Sequence, residues 1–224
     1  YYDFEIGDSN PVSGNFPTST TVYDVDTVAW KSNTMHTGTM TNMSVADWGA
    51  WDQGKLGKYA MNMSGGAQTS AAIGDSIEIA DNSAIQLEND MSVVCWVNAQ
   101  NQTYIQGIIS KAHSNGGTWH KGWVLGRDNT AAAAGTAANK WLFSTRNSGE
   151  SPMYVYTAAN SAGAQNEWVH LVGTRRSGTN YLYVNGVQQT DTSTMATIED
   201  STEGVRIGQW WTNLVSPSTL NDAY

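Results

Sequence analysis

The stretch Asn166-Glu167-Trp168-Val169-His170-Leu171-Val172-Gly173-Thr174, followed by Tyr181-Leu182-Tyr183-Val184-Asn185-Gly186-Val187, decides the fold. Each half alternates residues suited to a core with residues suited to a surface. Successive side chains on a strand point to opposite faces, so this period of two specifies β structure. Between 181–184 and 187–190 only Asn185-Gly186 is left to turn the chain. Both central residues of a tight type I′ turn need positive φ, which Asn and Gly adopt most readily, so the pair predicts a two-residue hairpin.

The same alternation recurs outward from this hairpin. Strands are expected at 76–80, 91–98, 105–111, 122–127, 141–145, 153–157, 167–175, 180–184 and 204–208, each bounded by Gly, Asn, Asp or Ser. No amphipathic helix interrupts them. Two stretches read as long loops, 10–54 and 129–138. Many short strands at this spacing predict an all-β sandwich or barrel, in one domain over residues 1–224.

Composition narrows the partners. Hydrophobic residues make up 40% of the chain, enough to bury a core, while charged residues are only 14%. Asp and Glu outnumber Lys and Arg by 20 to 11, and the net charge of −9 repels phosphate backbones. Nucleic acid is therefore a poor partner; divalent cations and glycans suit the chain better. No run of apolar residues is long enough to span a membrane as a helix. Cys95 is the only cysteine, so no intrachain disulfide forms, and its apolar strand setting predicts a buried small hydrophobe.

The order of segments resembles the LamG (laminin-G-like) family of concanavalin A-like jelly rolls. Tyr1-Tyr2-Asp3-Phe4-Glu5-Ile6-Gly7-Asp8 is similar to the aromatic first strand and acidic loop of that family. Gly54-Lys55-Leu56-Gly57-Lys58-Tyr59-Ala60-Met61 and Ser76-Ile77-Glu78-Ile79 resemble its next two strands. Met91 to Val97 with Trp96, Ile108-Ile109-Ser110-Lys111, Gly122-Trp123-Val124-Leu125 and Val205-Arg206-Ile207-Gly208 follow in the family's order. The stretch 166–174 resembles its "W-x-H-V-A-x-T" strand, and 181–187 its "L-Y-V-N-G" hairpin. The resemblance implies an antiparallel jelly-roll β-sandwich. The family's acidic closing strand has no counterpart before Tyr224, so the 224 residues are expected to be a piece of a longer polypeptide, or to take that strand from a neighbour.

The same resemblance implies one Ca²⁺ near the first acidic loop, with Glu5, Asp8 and Asn10 as ligands by position. Oxygen donors of this kind suit calcium. Half of the family's site belongs to the closing strand. The histidines His36, His113, His120 and His170 show no zinc-like spacing, and His170 is expected to be structural.

Ten tryptophans and ten tyrosines supply rings that can stack on sugars. Trp96, Trp123, Trp141 and Trp168 lie inside alternating strands and are assigned to packing. Trp210 and Trp211 are adjacent, so a regular strand would turn one of them outward. With Trp119 near a Gly-rich turn, and Trp48 and Trp51 in the early loop, they form the ligand-binding candidates. The competing reading is that these five cover loops or meet a neighbouring subunit. For sugar cleavage, paired carboxylates must flank the bond; Glu78-Ile79-Ala80-Asp81 has the wrong spacing. No catalytic residues are therefore assigned.

The expected function is a non-catalytic carbohydrate-binding or adhesion module of an extracellular surface protein, its partners glycans or neighbouring subunits. The alternative is a structural component of a cell-surface or virion-surface assembly, such as a capsid decoration or fibre. A glycan-processing enzyme ranks third.

Overall fold

In the strand Trp168–Arg176, Val169, Leu171, Gly173 and Arg175 are buried, while Trp168, His170, Val172 and Thr174 are only half-buried. One face of this strand makes core and the other meets solvent. A computed structural model gives the arrangement; it describes residues 21–23, 37–41, 55, 63, 75–99, 106–115, 118–128, 140–147, 153–156, 166–194 and 197–209.

The strands in chain order are β1 (Thr21–Tyr23), β2 (Thr37–Thr41), β3 (Ser76–Ile79), β4 (Met91–Asn98), β5 (Gln106–Asn115), β6 (Thr118–Asp128), β7 (Lys140–Arg146), β8 (Met153–Tyr156), β9 (Trp168–Arg176), β10 (Thr179–Val184), β11 (Val187–Gln188), β12 (Ser193–Thr194) and β13 (Val205–Ile207). They form two antiparallel sheets. The large sheet runs β1-β2-β3-β13-β5-β6-β7-β8, and the small one β11-β10-β9-β4, with β12 also on β10. Among the described residues the only helical segment is a short 3-10 turn, Ser83–Ile85. Alternation left a sandwich or a barrel open; the antiparallel β-sandwich that the family resemblance implies is the observed architecture.

The core fills the space between the sheets. The large sheet contributes Ile77, Ile79, Ile108, Trp123, Leu125, Trp141, Phe143, Val155 and Val205; the small sheet contributes Val93, Val97, Val169, Leu171 and Leu182. Burying each aliphatic or aromatic side chain stabilises by about 1.5–3 kcal/mol. Phe143 lies against Gly173 so closely that a Cβ there would sit 2.3 Å from the ring. A polar link also crosses the layers: Asn180 Nδ2 donates to Thr145 Oγ1 at 2.8 Å. The wholly buried Arg127 lies 5.4 Å from the Trp141 ring centroid, and burial lowers its guanidinium to about 10.

Both hairpins that flank β10 are two-residue turns. Asn185 and Gly186 have φ of 51° and 82°, the pair of positive values that the Asn-Gly reading requires. Asn185 also ties this turn to β9: its side-chain oxygen accepts from the His170 amide at 2.9 Å, and its own amide donates to the His170 carbonyl at 2.8 Å. Ser177-Gly178 makes the same kind of turn between β9 and β10, with φ of 48° and 80°. Asp90 Oδ1 caps that turn by accepting from the Ser177 amide at 2.7 Å.

The four strand tryptophans divide in two. Trp123 and Trp141 are buried in the core, as expected. Trp96 and Trp168 do not share that position. Val93, Cys95 and Val97 occupy inward positions of β4, and Val169 and Leu171 those of β9, so the alternate residues, Trp96 and Trp168 among them, face outward.

Candidate functional site

Two clusters of functional side chains stand out among the described residues: a buried ion cluster at one edge of the core, and an aromatic face on the outside of the small sheet.

Lys111 belongs to β5, and its side chain is fully buried. Its ammonium reaches Asp81 Oδ1 at 3.0 Å, Asp200 Oδ1 at 2.7 Å and the Ser201 carbonyl. An ammonium has three N–H donors and no acceptor, so these three oxygens use all of them. The cluster joins β5 to the segment after β3 and to the segment before β13. On the neighbouring strand β6, Gly122, paired with Ala112, has a φ of +93°, and a Cβ there would lie 1.8 Å from the Lys111 carbonyl oxygen, which makes glycine obligatory. The Gly122 amide donates to the Glu199 carbonyl at 3.0 Å, while the Glu199 carboxylate pairs with Lys121. Glu78 pairs with Arg206 at 3.0 Å across β3 and β13. These carboxylates therefore hold segments together.

The second cluster follows from register. On the outer face of the small sheet Asn98 stands opposite Trp168, Trp96 opposite His170, Val94 opposite Val172 and Ser92 opposite Thr174. Across β9 the rows continue from Val172 to Tyr183 and Gln188, and from Thr174 to Tyr181. The Trp96 and His170 rings lie 4.9 Å apart, tilted by 36°. Lys55 Nζ stands 5.1 Å from the Trp96 centroid, and the Arg176 guanidinium 5.9 Å from that of Tyr181. Such cation–π contacts hold the rings in place without burying them. The Ser92 and Thr174 hydroxyls share a hydrogen bond of 3.2 Å, and Tyr183 Oη donates to Gln188 Oε1 at 3.0 Å. Val94, in the middle of the face, is 54% exposed.

Cys95 sits between Val94 and Trp96 but points inward against the core, and burial raises its thiol to about 12. It stays protonated at neutral pH, so it is no nucleophile.

Of the ligand candidates read from the sequence, Trp48, Trp51, Trp210 and Trp211 lie outside the described residues. Trp119 is placed by its backbone on β6, opposite Ser114 near the end of the β5–β6 hairpin; its side chain is outside the description. The calcium candidates Glu5, Asp8 and Asn10 fall outside it as well, as do both chain ends and the loop 129–138. Among the described residues no group of three or more His, Cys, Asp or Glu side chains is arranged to hold a metal ion. No described helix is long and apolar enough to cross a membrane. The outer aromatic face is hard to see in the sequence because a Trp inside an alternating strand, such as Trp96 or Trp168, is expected in the core. The signal was present: in Val93-Val94-Cys95-Trp96-Val97 the parity that buries Val93 and Val97 exposes Trp96.

Comparison with known proteins matches this architecture. No curated protein matches the chain in sequence. Domain 4 of AbnA, a GH43 extracellular arabinanase from Geobacillus stearothermophilus solved in complex with arabinotriose, superposes with a TM-score of 0.53 at 17% identity, over 83% of this chain and 80% of that one. Domains LG4-5 of the mouse laminin α1 chain superpose with a TM-score of 0.50 at 11% identity, over 74% of this chain and 40% of that one. At such identities the likeness is one of fold. Residues 68–218 match the laminin G type 3 family pattern, described as "Concanavalin A-like lectin/glucanases superfamily". Because that match spans more than half of its residues, the chain belongs to the concanavalin A-like lectin/glucanases superfamily.

Proposed function

We propose that this chain is a non-catalytic carbohydrate-binding or adhesion module of an extracellular surface protein. The observation that carries the reading is a sandwich of this superfamily that turns a continuous aromatic and hydroxyl-bearing sheet face toward solvent. Aromatic rings offer an apolar surface with a polar rim, which suits the C–H faces and hydroxyls of sugars. The arabinotriose-bound domain of similar fold is a precedent for the scaffold. The non-catalytic part is supported by the employment of four of the described carboxylates in ion pairs: Asp81 and Asp200 on Lys111, Glu78 on Arg206 and Glu199 on Lys121. A general acid needs a carboxyl that is free to give and take a proton beside the sugar.

A glycan array with the purified chain tests the reading. Saturable binding without cleavage of the bound glycan is the expected result. Binding to no glycan, with the chain present in fixed stoichiometry in a large particle, would replace it with the structural-component alternative. Release of shorter sugars would make it an enzyme. Calcium held by Glu5, Asp8 and Asn10 remains part of the proposal. Its check is calorimetric titration with Ca²⁺ together with melting in chelator, and no heat with no shift removes it.

A further inference from the structure

We propose that the outer face of the small sheet is itself a glycan site, and that its ligand is an internal stretch of an extended neutral polysaccharide. The inference rests on the glycan-binding reading and adds the place, the shape and the charge of the ligand.

The place follows from the registered rows. Trp96 and His170 stand at one end, Val94, Val172 and Tyr183 in the middle, and Tyr181 with the Ser92–Thr174 hydroxyl pair at the other. None of these side chains supports the core, because each lies at an outward position beside an inward Val93, Leu171 or Leu182. A stack such as Trp96–His170, steadied by Lys55, keeps a large apolar ring half-exposed at a conformational cost already met before any ligand arrives.

The shape follows from the sheet. A ligand end is best held in a pocket, where it is surrounded; an open sheet face contacts a chain along its length. From His170 to Arg176 the strand advances about 20 Å at roughly 3.3 Å per residue, which is room for several consecutive sugar units. The rings of Trp96, Tyr183 and Tyr181 stand level with His170, Val172 and Thr174, over about 13 Å of that length, and Ser92, Thr174 and Gln188 bring hydroxyl and amide groups to the same rows.

The charge follows from the side chains. Among the described residues the face carries only Lys55 and Arg176 as charged groups, each set against a ring. Asp90 stands at the rim by the β9–β10 turn, with its carboxylate on the Ser177 amide. In a chain of net charge −9, an acidic polymer would meet long-range repulsion with little local cation to offset it. A neutral chain meets rings, hydroxyls and amides.

The test uses the full chain with ladders of neutral arabino-, xylo- and cello-oligosaccharides of increasing length, and with polygalacturonate as the acidic probe. Expected are an affinity that grows with the length of a neutral ladder, indifference to blocking of the chain end, and little dependence on salt. Val94→Arg, which puts bulk and charge in the middle of the face without touching the core, abolishes binding. Tyr183→Ala weakens it about tenfold or more, the scale of an interface anchor. Unchanged melting of both variants shows that the fold persists. If these variants bind as the parent does while Trp210→Ala or Trp211→Ala loses binding, the chain is still a glycan binder and the proposed site is wrong. A requirement for a terminal sugar, or binding confined to polygalacturonate and lost in salt, overturns the ligand class. Binding to no glycan by the unmodified chain sinks the functional reading and this inference together.

Discussion

Lys111→Met removes the one cation of the buried cluster while keeping most of the side-chain volume. In the parent the Lys111 side chain is 0% exposed, that of Asp200 15% and that of Asp81 26%. The methionine fits the apolar part of the path but offers nothing to two carboxylates and the Ser201 carbonyl. Removing one partner of a buried ion pair costs about 3–5 kcal/mol, chiefly because the other charge is left unmatched. Here both carboxylates keep some contact with water, which places the loss near the lower end, about 3 kcal/mol. That is a large share of a total stability on the order of 5–15 kcal/mol. For a chain of this size it corresponds to a melting temperature lower by about 6–12 °C.

Urea denaturation followed by tryptophan fluorescence reads this directly: the midpoint falls and the slope stays the same. The attribution to charge is checked by a double-mutant cycle with Asp200→Asn. Once Asp200 is neutral, Lys111→Met leaves one orphan carboxylate fewer, so the double variant loses less than the sum of the two single losses by at least about 1 kcal/mol. A loss below about 1 kcal/mol for Lys111→Met, or strictly additive losses in the cycle, would refute the reasoning and reduce Lys111 to a packed hydrocarbon stem.

The remaining predictions concern packing, turn chemistry and the thiol. Gly173→Ala places a Cβ against the Phe143 ring between the sheets and lowers stability by about 1–3 kcal/mol; Phe143→Leu in the same chain recovers part of it, as denaturation midpoints will show. Asn185→Val forces a β-branched residue to a φ of 51° and removes the acceptor of the His170 amide, a combined loss of about 2 kcal/mol measured the same way. Cys95, held up to about 12 by burial, resists alkylation at pH 8 until denaturant is added, and rapid labelling of the native chain would contradict its placement. The sign for stability runs with it. The folded state keeps the thiol proton above the ordinary value of 9.0, so this contribution is complete below pH 9 and is lost as pH rises toward 12.

The sequence disclosed most of the scaffold because the scaffold depends on local signals. Strand limits expected at 91–98 and 153–157 came within a residue of β4 and β8, since a period of two between Gly, Asn and Ser leaves few other solutions. The Asn185-Gly186 hairpin was legible for the same reason. What escaped was set by contacts distant in sequence. Nothing near Lys111 announces that Asp81 and Asp200 will converge on it from 30 residues before and 89 after. Ser177-Gly178 marks a break between strands in the sequence, but nothing there announces that Asp90, from β4's leading edge, supplies the acceptor for its amide.

The outer face shows why site residues are harder to read than core residues in a sandwich. Along β4 and β9 one parity is fixed by the need to bury Val93, Val97, Val169 and Leu171, and those positions admit little besides aliphatic residues. The other parity carries no such demand, so a stable fold is equally served there by Ser, Thr or Lys. Trp96, His170, Tyr181 and Tyr183 on the free parity add half-exposed aromatic surface that the core does not require. Aromatic rings at solvent-facing positions invite aggregation unless something uses them. Their steadying by Lys55 and Arg176, and the hydroxyl pair of Ser92 and Thr174 beside them, make a surface with both apolar and hydrogen-bonding character. The residues that fold the sandwich and those that give this face its character therefore alternate one by one along the same strands, and a substitution can remove either set while leaving the other in place.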